Sequence, residues 1–207
     1  MNKVILLLFI VLTYAWPPTV RISDGYPIKG KIKGESAIFH GIPYAAPPVG
    51  DLRWRAPQPY IRPNNTLLKA YNKPPACPQE LKIRQSEDCL FLNVFVPKST
   101  FKEQNNKNFR AKPVVVYFHY GSFKHHSSID PPGSYYESFN ADGVILVTVN
   151  YRLSLIGFFA HPALSIEDPS VKSNFGLYDQ REALKWVQRN IRQFGGDPSL
   201  VTILGIV

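Results

Sequence analysis

Five histidines, two cysteines and one Asn-X-Thr sequon are the side chains best suited to specialised chemistry in this chain of 207 residues. His125 and His126 are adjacent, so their rings point in different directions, and no Cys or carboxylate cluster accompanies them. A metal site needs several converging donors. The pair therefore reads as part of a solvated loop, and neither a metal nor an organic cofactor is expected. His119-Tyr120-Gly121-Ser122 follows an apolar run and by itself reads as a turn, with a glycine free to take positive φ. Cys77 and Cys89 suit a disulfide in an oxidising compartment, free thiols being the alternative. Asn64-Asn65-Thr66 is an N-glycosylation sequon in a polar stretch where a sugar would be tolerated.

The first residues bear on the compartment. Lys3 gives a positive start, Val4 to Leu12 is an unbroken run of nine apolar residues, and Thr13-Tyr14-Ala15 offers small residues for cleavage. A membrane span needs about 20 apolar residues. Residues 1–15 are therefore expected to be a cleaved signal peptide, with residues 16–207 following it into the secretory pathway. No later segment reaches span length. Composition narrows the class: 44% hydrophobic and 19% charged residues exclude a disordered acidic protein. The net charge of +9 is spread along the chain, with no basic run interleaved with aromatics. A basic secreted surface is expected, and nucleic acid is not an expected partner.

The elements that would position these residues fall into two styles. Val20-Arg21-Ile22 and Lys29 to Lys33 alternate apolar with polar residues, as half-solvated hairpin strands do. Gly41 to Pro59 carries five prolines and must be ordered coil. Leu90 to Val96 reads as a strand, and Lys98 to Lys112 as an exposed loop. Beyond it, Val114 to His119 and Val144 to Asn150 are continuous β-branched runs, which suit parallel strands covered on both faces. Asp179 to Phe194 reads as a helix whose stripe is Ala183, Leu184, Val187, Ile191 and Phe194. Gly195, Gly196 and Pro198 end it, and Val201 to Gly205 reads as another buried strand. Strand, helix and strand in that order make the second half α/β. Neither an internal repeat nor a domain boundary is evident.

Five collinear stretches make the chain similar to the type-B carboxylesterase family, the cholinesterase-like α/β-hydrolases. They are FHGIPYAAPPVGDLRWRAPQP from Phe39, SEDCLFLNVFVP from Ser86, PVVVYFHYGSF from Pro113, VNYRLSLIGFFA from Val149, and NFGLYDQREALKWVQRNIRQFGGDPSLVTILG from Asn174. The resemblance implies a truncated α/β-hydrolase fold, with N-terminal antiparallel hairpin strands leading into a mostly parallel sheet flanked by helices. It implies carboxylic ester hydrolysis by a Ser-His-acid triad, with backbone N–H groups after the strand at Val114 to His119 holding the oxyanion. By position those donors are the amides of Gly121 and Ser122. The family pattern has three glycines where this chain has Tyr120, Gly121 and Ser122. Arg53 with Glu87, and Arg152 with Asp179, match buried structural ion pairs, and Cys77 with Cys89 matches the first disulfide. No tryptophan lies between these cysteines, so a choline-stacking site of the cholinesterase kind is not expected.

The same resemblance puts the nucleophile elbow directly after Gly205, where the sequence reads Ile206-Val207 and stops. None of His40, His119, His125, His126 or His161 matches the catalytic histidine. The expectation is therefore a chain without the triad, inactive alone, whose carboxylic ester substrate would be met only by a full-length protein. The strand Val201, Thr202, Ile203, Leu204 would be an exposed edge open to association, with retention of the truncated form in the endoplasmic reticulum. Two further readings are a non-catalytic secreted binding protein of the neuroligin-like group, and a short chain that binds a full-length relative through that edge.

Overall fold

The computed structural model describes residues 17–63, 66–129, 135–167, 169 and 173–205. The expected signal peptide, Asn64 of the sequon and the Ile206-Val207 pair lie outside the described residues. Nine strands are described: β1 (Thr19–Arg21), β2 (Pro27–Lys29), β3 (Lys31–Lys33), β4 (Ser36–Pro43), β5 (Leu68–Lys69), β6 (Phe91–Pro97), β7 (Lys112–Phe118), β8 (Ile145–Val149) and β9 (Gly196–Gly205). The helices are α1 (Thr100–Glu103), α2 (Tyr135–Ala141), α3 (Ser154–Phe158), α4 (Pro162–Glu167) and α5 (Phe175–Asn190).

The main sheet runs β3-β4-β6-β8-β7-β9, and a small one runs β1-β2-β5. From β3 to β8 the neighbours are antiparallel, while β8, β7 and β9 are parallel. The parallel half is where the β-branched runs fall, as expected of strands hidden on both faces. On one face, strand residues such as Val94, Val116 and Val147 pack against Ala183, Trp186, Val187, Ile191 and Phe194. On the other, Ile38, Phe95, Tyr117 and Leu146 pack against Tyr136 of α2.

Several boundaries differ from the sequence expectation for identifiable reasons. Lys29 to Lys33 is two strands in two sheets, divided at Gly30, where a side chain would strike the Ile38 carbonyl and the Phe39 ring. The expected exposed loop Lys98 to Lys112 contains α1, whose Thr100 is buried and whose Phe101 ring lies 6.2 Å from Phe39. The helix expected from Asp179 begins at Phe175, and its last turn, Ile191–Phe194, is a 3₁₀ segment closed by Gly195 at φ +86°. β9 starts at Gly196, opposite Lys112, five residues before the expected strand.

A β-bulge interrupts β4 between Phe39 and Ile42, so that His40 and Gly41 together face Asn93 of β6. The Asn93 Oδ1 accepts the Gly41 N–H at 3.0 Å and lies 3.2 Å from His40 Nδ1. Its amide nitrogen donates to Ser128 Oγ and Thr148 Oγ1. Burial lowers His40 from the ordinary 6.5 to about 4, helped by Lys31 and Lys73 and opposed by Asn93. The unfolded chain therefore takes up this proton at higher pH than the folded one. Stability from this group is complete above pH 6.5 and falls as pH drops toward 4. The slope reaches about 1.4 kcal/mol per pH unit inside that window. Urea midpoints measured across it should converge in a His40→Leu variant; an unchanged slope would remove His40 from the account.

Candidate functional site

β7 ends at Phe118, paired with Gly205 of β9. The segment His119–Ser122 and the carboxyl end of β9 therefore lie side by side at the C-terminal edge of the parallel strands, where α/β sheets hold their ligands. The segment is tightly held. His119 is buried and its ring stacks on Tyr151 at 4.5 Å. The Tyr151 hydroxyl donates to the His119 carbonyl at 2.9 Å, and burial raises this phenol to about 12, so it stays a donor at neutral pH.

After Tyr120 the chain turns sharply. Gly121 has φ +113°, and its carbonyl accepts from the amides of Lys124 and His125. A β-carbon at Gly121 would lie 2.5 Å from the His125 carbonyl oxygen. Ser122 and Phe123 follow at φ +52° and +59°, a region that L-residues enter at a cost of about 1–3 kcal/mol each. The Phe123 carbonyl accepts the Ser154 amide at the start of α3. The Gly121 and Ser122 amides are engaged by no other group among the described residues. Two neighbouring N–H groups left open beside a strand end are what an oxyanion requires. Of the two departures from a triple glycine, Tyr120 keeps negative φ and costs the backbone nothing, whereas Ser122 stands where glycine would be unstrained. Gly121→Ala should lower stability by about 1–3 kcal/mol and loosen this turn. Hydrogen exchange of residues 119–126 would show the loosening, and an unaltered pattern would refute the clash.

The expected disulfide Cys77–Cys89 is present and braces this turn. Inside its loop, the Gln79 side chain accepts the His126 amide at 2.7 Å and donates to the His126 carbonyl at 2.8 Å and to the Cys77 carbonyl at 3.0 Å. The His126 ring lies 4.2 Å from Tyr120, so His125-His126 is a half-buried, packed element and not the solvated loop expected. Among the described residues no three His, Cys, Asp or Glu side chains gather to hold a metal ion.

The two ion pairs behave differently. Arg152 and Asp179 are wholly buried. The Arg152 amide, Nε and Nη2 donate to the Asp179 carboxylate at 3.0, 2.7 and 2.7 Å, tying the chain after β8 to α5. Burial raises the Asp179 carboxyl, and those three hydrogen bonds oppose it. Gly176 makes room for this arrangement, because its β-carbon would lie 2.5 Å from the Arg152 carbonyl oxygen. Arg53 and Glu87 meet through two hydrogen bonds of 2.7 and 2.9 Å, but their side chains are 39% and 28% exposed. The expectation of a buried pair is corrected there: water screens Arg53–Glu87, and the penalty for breaking a buried pair does not apply to it.

Sequence reasoning missed the polar strip of His40, Asn93, Thr148 and Ser128. The signal was present as one polar residue inside each of the apolar runs SAIFHGIP and FLNVFVP.

Comparison with known proteins agrees with this architecture. The family model described as Carboxylesterase family matches residues 17–207. The chain is 41% identical over 199 residues to fumonisin B1 esterase of Sphingopyxis macrogoltabida, covering 91% of this chain and 35% of that protein. It is 34% identical over 239 residues to neuroligin-3 of Mus musculus, covering 93% of this chain and 28% of that protein. The solved structure of a PNB esterase superposes with a TM-score of 0.78 at 39% identity, over 90% of this chain and 37% of that one. The solved neighbours are α/β-hydrolase esterases, and the mixed sheet with its flanking helices is consistent with part of that fold. This chain belongs to the carboxylesterase family.

Proposed function

We propose that the chain is the scaffold and oxyanion-binding part of a secreted carboxylic ester hydrolase. It enters the secretory pathway through residues 1–15 and carries sugar at Asn64. The observation that carries this reading is the pair of open amides at Gly121 and Ser122 beside the end of β9. In the complete reaction a serine attacks the ester carbonyl, a histidine relays its proton and an acidic residue orients the histidine. The amides meet the negative charge that develops on the carbonyl oxygen. No residue of this chain matches a triad position, so the 207-residue chain by itself leaves an ester at its background rate of hydrolysis. Loss of the serine or histidine alone costs on the order of 10⁶ in turnover in a comparable hydrolase.

The test is capture of the native protein with an antibody to Ala70–Lys82, followed by intact mass and turnover of p-nitrophenyl acetate. A species more than twice the 23.5 kDa of this chain that turns the ester over supports the reading. A 23.5 kDa species, less its signal peptide, that hydrolyses the ester through a serine of its own would overturn it. A second reading, a non-catalytic secreted binding protein, draws on the strained Ser122 and on the match to neuroligin-3. A heavy species that neither turns over the ester nor reacts with a fluorophosphonate serine probe would favour it.

A further inference from the structure

A cavity of about 160 Å³ lies between β3, β4, β6 and the N-terminal end of α2, on the sheet face that α5 does not cover. Its floor is apolar, built from Ile38, Phe95 and Leu146. Around the floor stand Lys31, Lys33 and Lys73, and no carboxylate among the described residues lines it. The His40 ring also faces it, and its tautomer follows from its neighbours. Asn93 Oδ1 already accepts the Gly41 N–H, so it is the carbonyl oxygen and His40 Nδ1 must carry the hydrogen. His40 Nε2 is then a lone pair among lysines. Ser128 and Thr148 accept from Asn93, so each keeps its own O–H to donate.

Size and charge define the occupant. A dry cavity of about 150 Å³ is enough for a benzene ring. Lys31 gives one hydrogen to the Tyr71 carbonyl at 3.0 Å and keeps two, and Lys33 is drawn toward Tyr136 and Glu137 at the mouth. That leaves Lys31 and Lys73 to receive an anion beside His40. We propose that this cavity binds a small aryl carboxylate, with the ring on the apolar floor and the carboxylate between Lys31, Lys73 and the His40 edge. An anion there favours the charged imidazolium, so binding takes up a proton at His40 Nε2. The groups that set this coupling are Lys31 of β3, Lys73 of the segment after β5, Asn93 of β6, and Tyr135, Tyr136 and Glu137 of α2.

The probes are benzoate, its neutral isostere benzamide, acetate and inorganic phosphate, titrated calorimetrically into the chain. Benzoate should bind one to one, with benzamide, acetate and phosphate each about tenfold weaker or worse. Lys73→Ala should weaken benzoate by about tenfold with the melting curve retained. Affinity should rise as pH falls below 6.5 toward the value of about 4 that His40 has in the unliganded chain, and this rise should vanish in His40→Leu. Benzamide or phosphate binding as tightly as benzoate, or Lys73→Ala binding it unchanged, would overturn the assignment.

Discussion

Asp179→Ala should destabilise the chain by about 3–5 kcal/mol. That is a large share of the roughly 5–15 kcal/mol that holds a typical domain together. Removing the carboxylate leaves the Arg152 guanidinium fully buried with no counter-charge. It also strips the Arg152 amide of its acceptor. Arg152 has no reserve of partners, because its Nη1 already lacks one. Nor can the backbone move aside, since Gly157 and Gly176 press directly against the Arg152 carbonyl. The diagnostic comparison is the double variant Arg152→Met/Asp179→Leu. Replacing both charges by apolar side chains of similar volume removes the desolvation penalty along with the attraction, and should recover most of the loss. Urea unfolding of the parent, the single and the double variant gives the coupling directly. A single variant within about 1 kcal/mol of the parent would mean that water reaches the pair. Glu87→Ala serves as the exposed control and should be far milder, because Arg53 is open to solvent.

What could be read in advance follows from how locally each feature is encoded. The runs at Val114 to His119 and Val144 to Asn150 announce buried strands because side chains on both covered faces must be apolar or hydrogen-bonded, and all but His119, Thr148 and Asn150 are apolar or aromatic. The stripe of α5 is likewise written in a single segment. Gly121 was legible because its turn has a sequence motif, and its backbone supplies the physical reason: no β-carbon fits beside the His125 carbonyl. By contrast, the division of Lys29 to Lys33 at Gly30 depends on the approach of Phe39, which no local pattern contains. α1 was hidden in a polar stretch because its burial rests on Thr100 and Phe101 alone. The cavity beside His40 draws Lys31, Lys73, Phe95 and Ser128 from four separate segments, so only the folded chain assembles it.

The 207-residue chain, expressed as it stands, should self-associate through β9, and Ile203→Lys should return it to a monomer. β9 is the edge of the described sheet, paired with β7 on one side alone. Its first half is protected: Asp197 and Pro198 supply a charge and a missing N–H, both of which discourage strand addition. Its second half, Val201 to Gly205, has neither, and Ile203 is 58% exposed on it. An uncharged, β-branched edge of this kind offers unpaired backbone groups together with an apolar surface, which favours a further strand over water. A lysine at Ile203 leaves the β7 ladder intact, because ladder hydrogen bonds are made by the backbone, while its charge penalises any partner strand. The effect is therefore all-or-none in assembly state. Sedimentation velocity at micromolar concentration would resolve it, with Ile61→Lys, at an 83% exposed site outside the sheet, as the control for charge alone. A monomeric parent, or equal rescue by both substitutions, would show that the edge is not the adhesive surface. Rescue by Ile203→Lys alone would make β9 the contact.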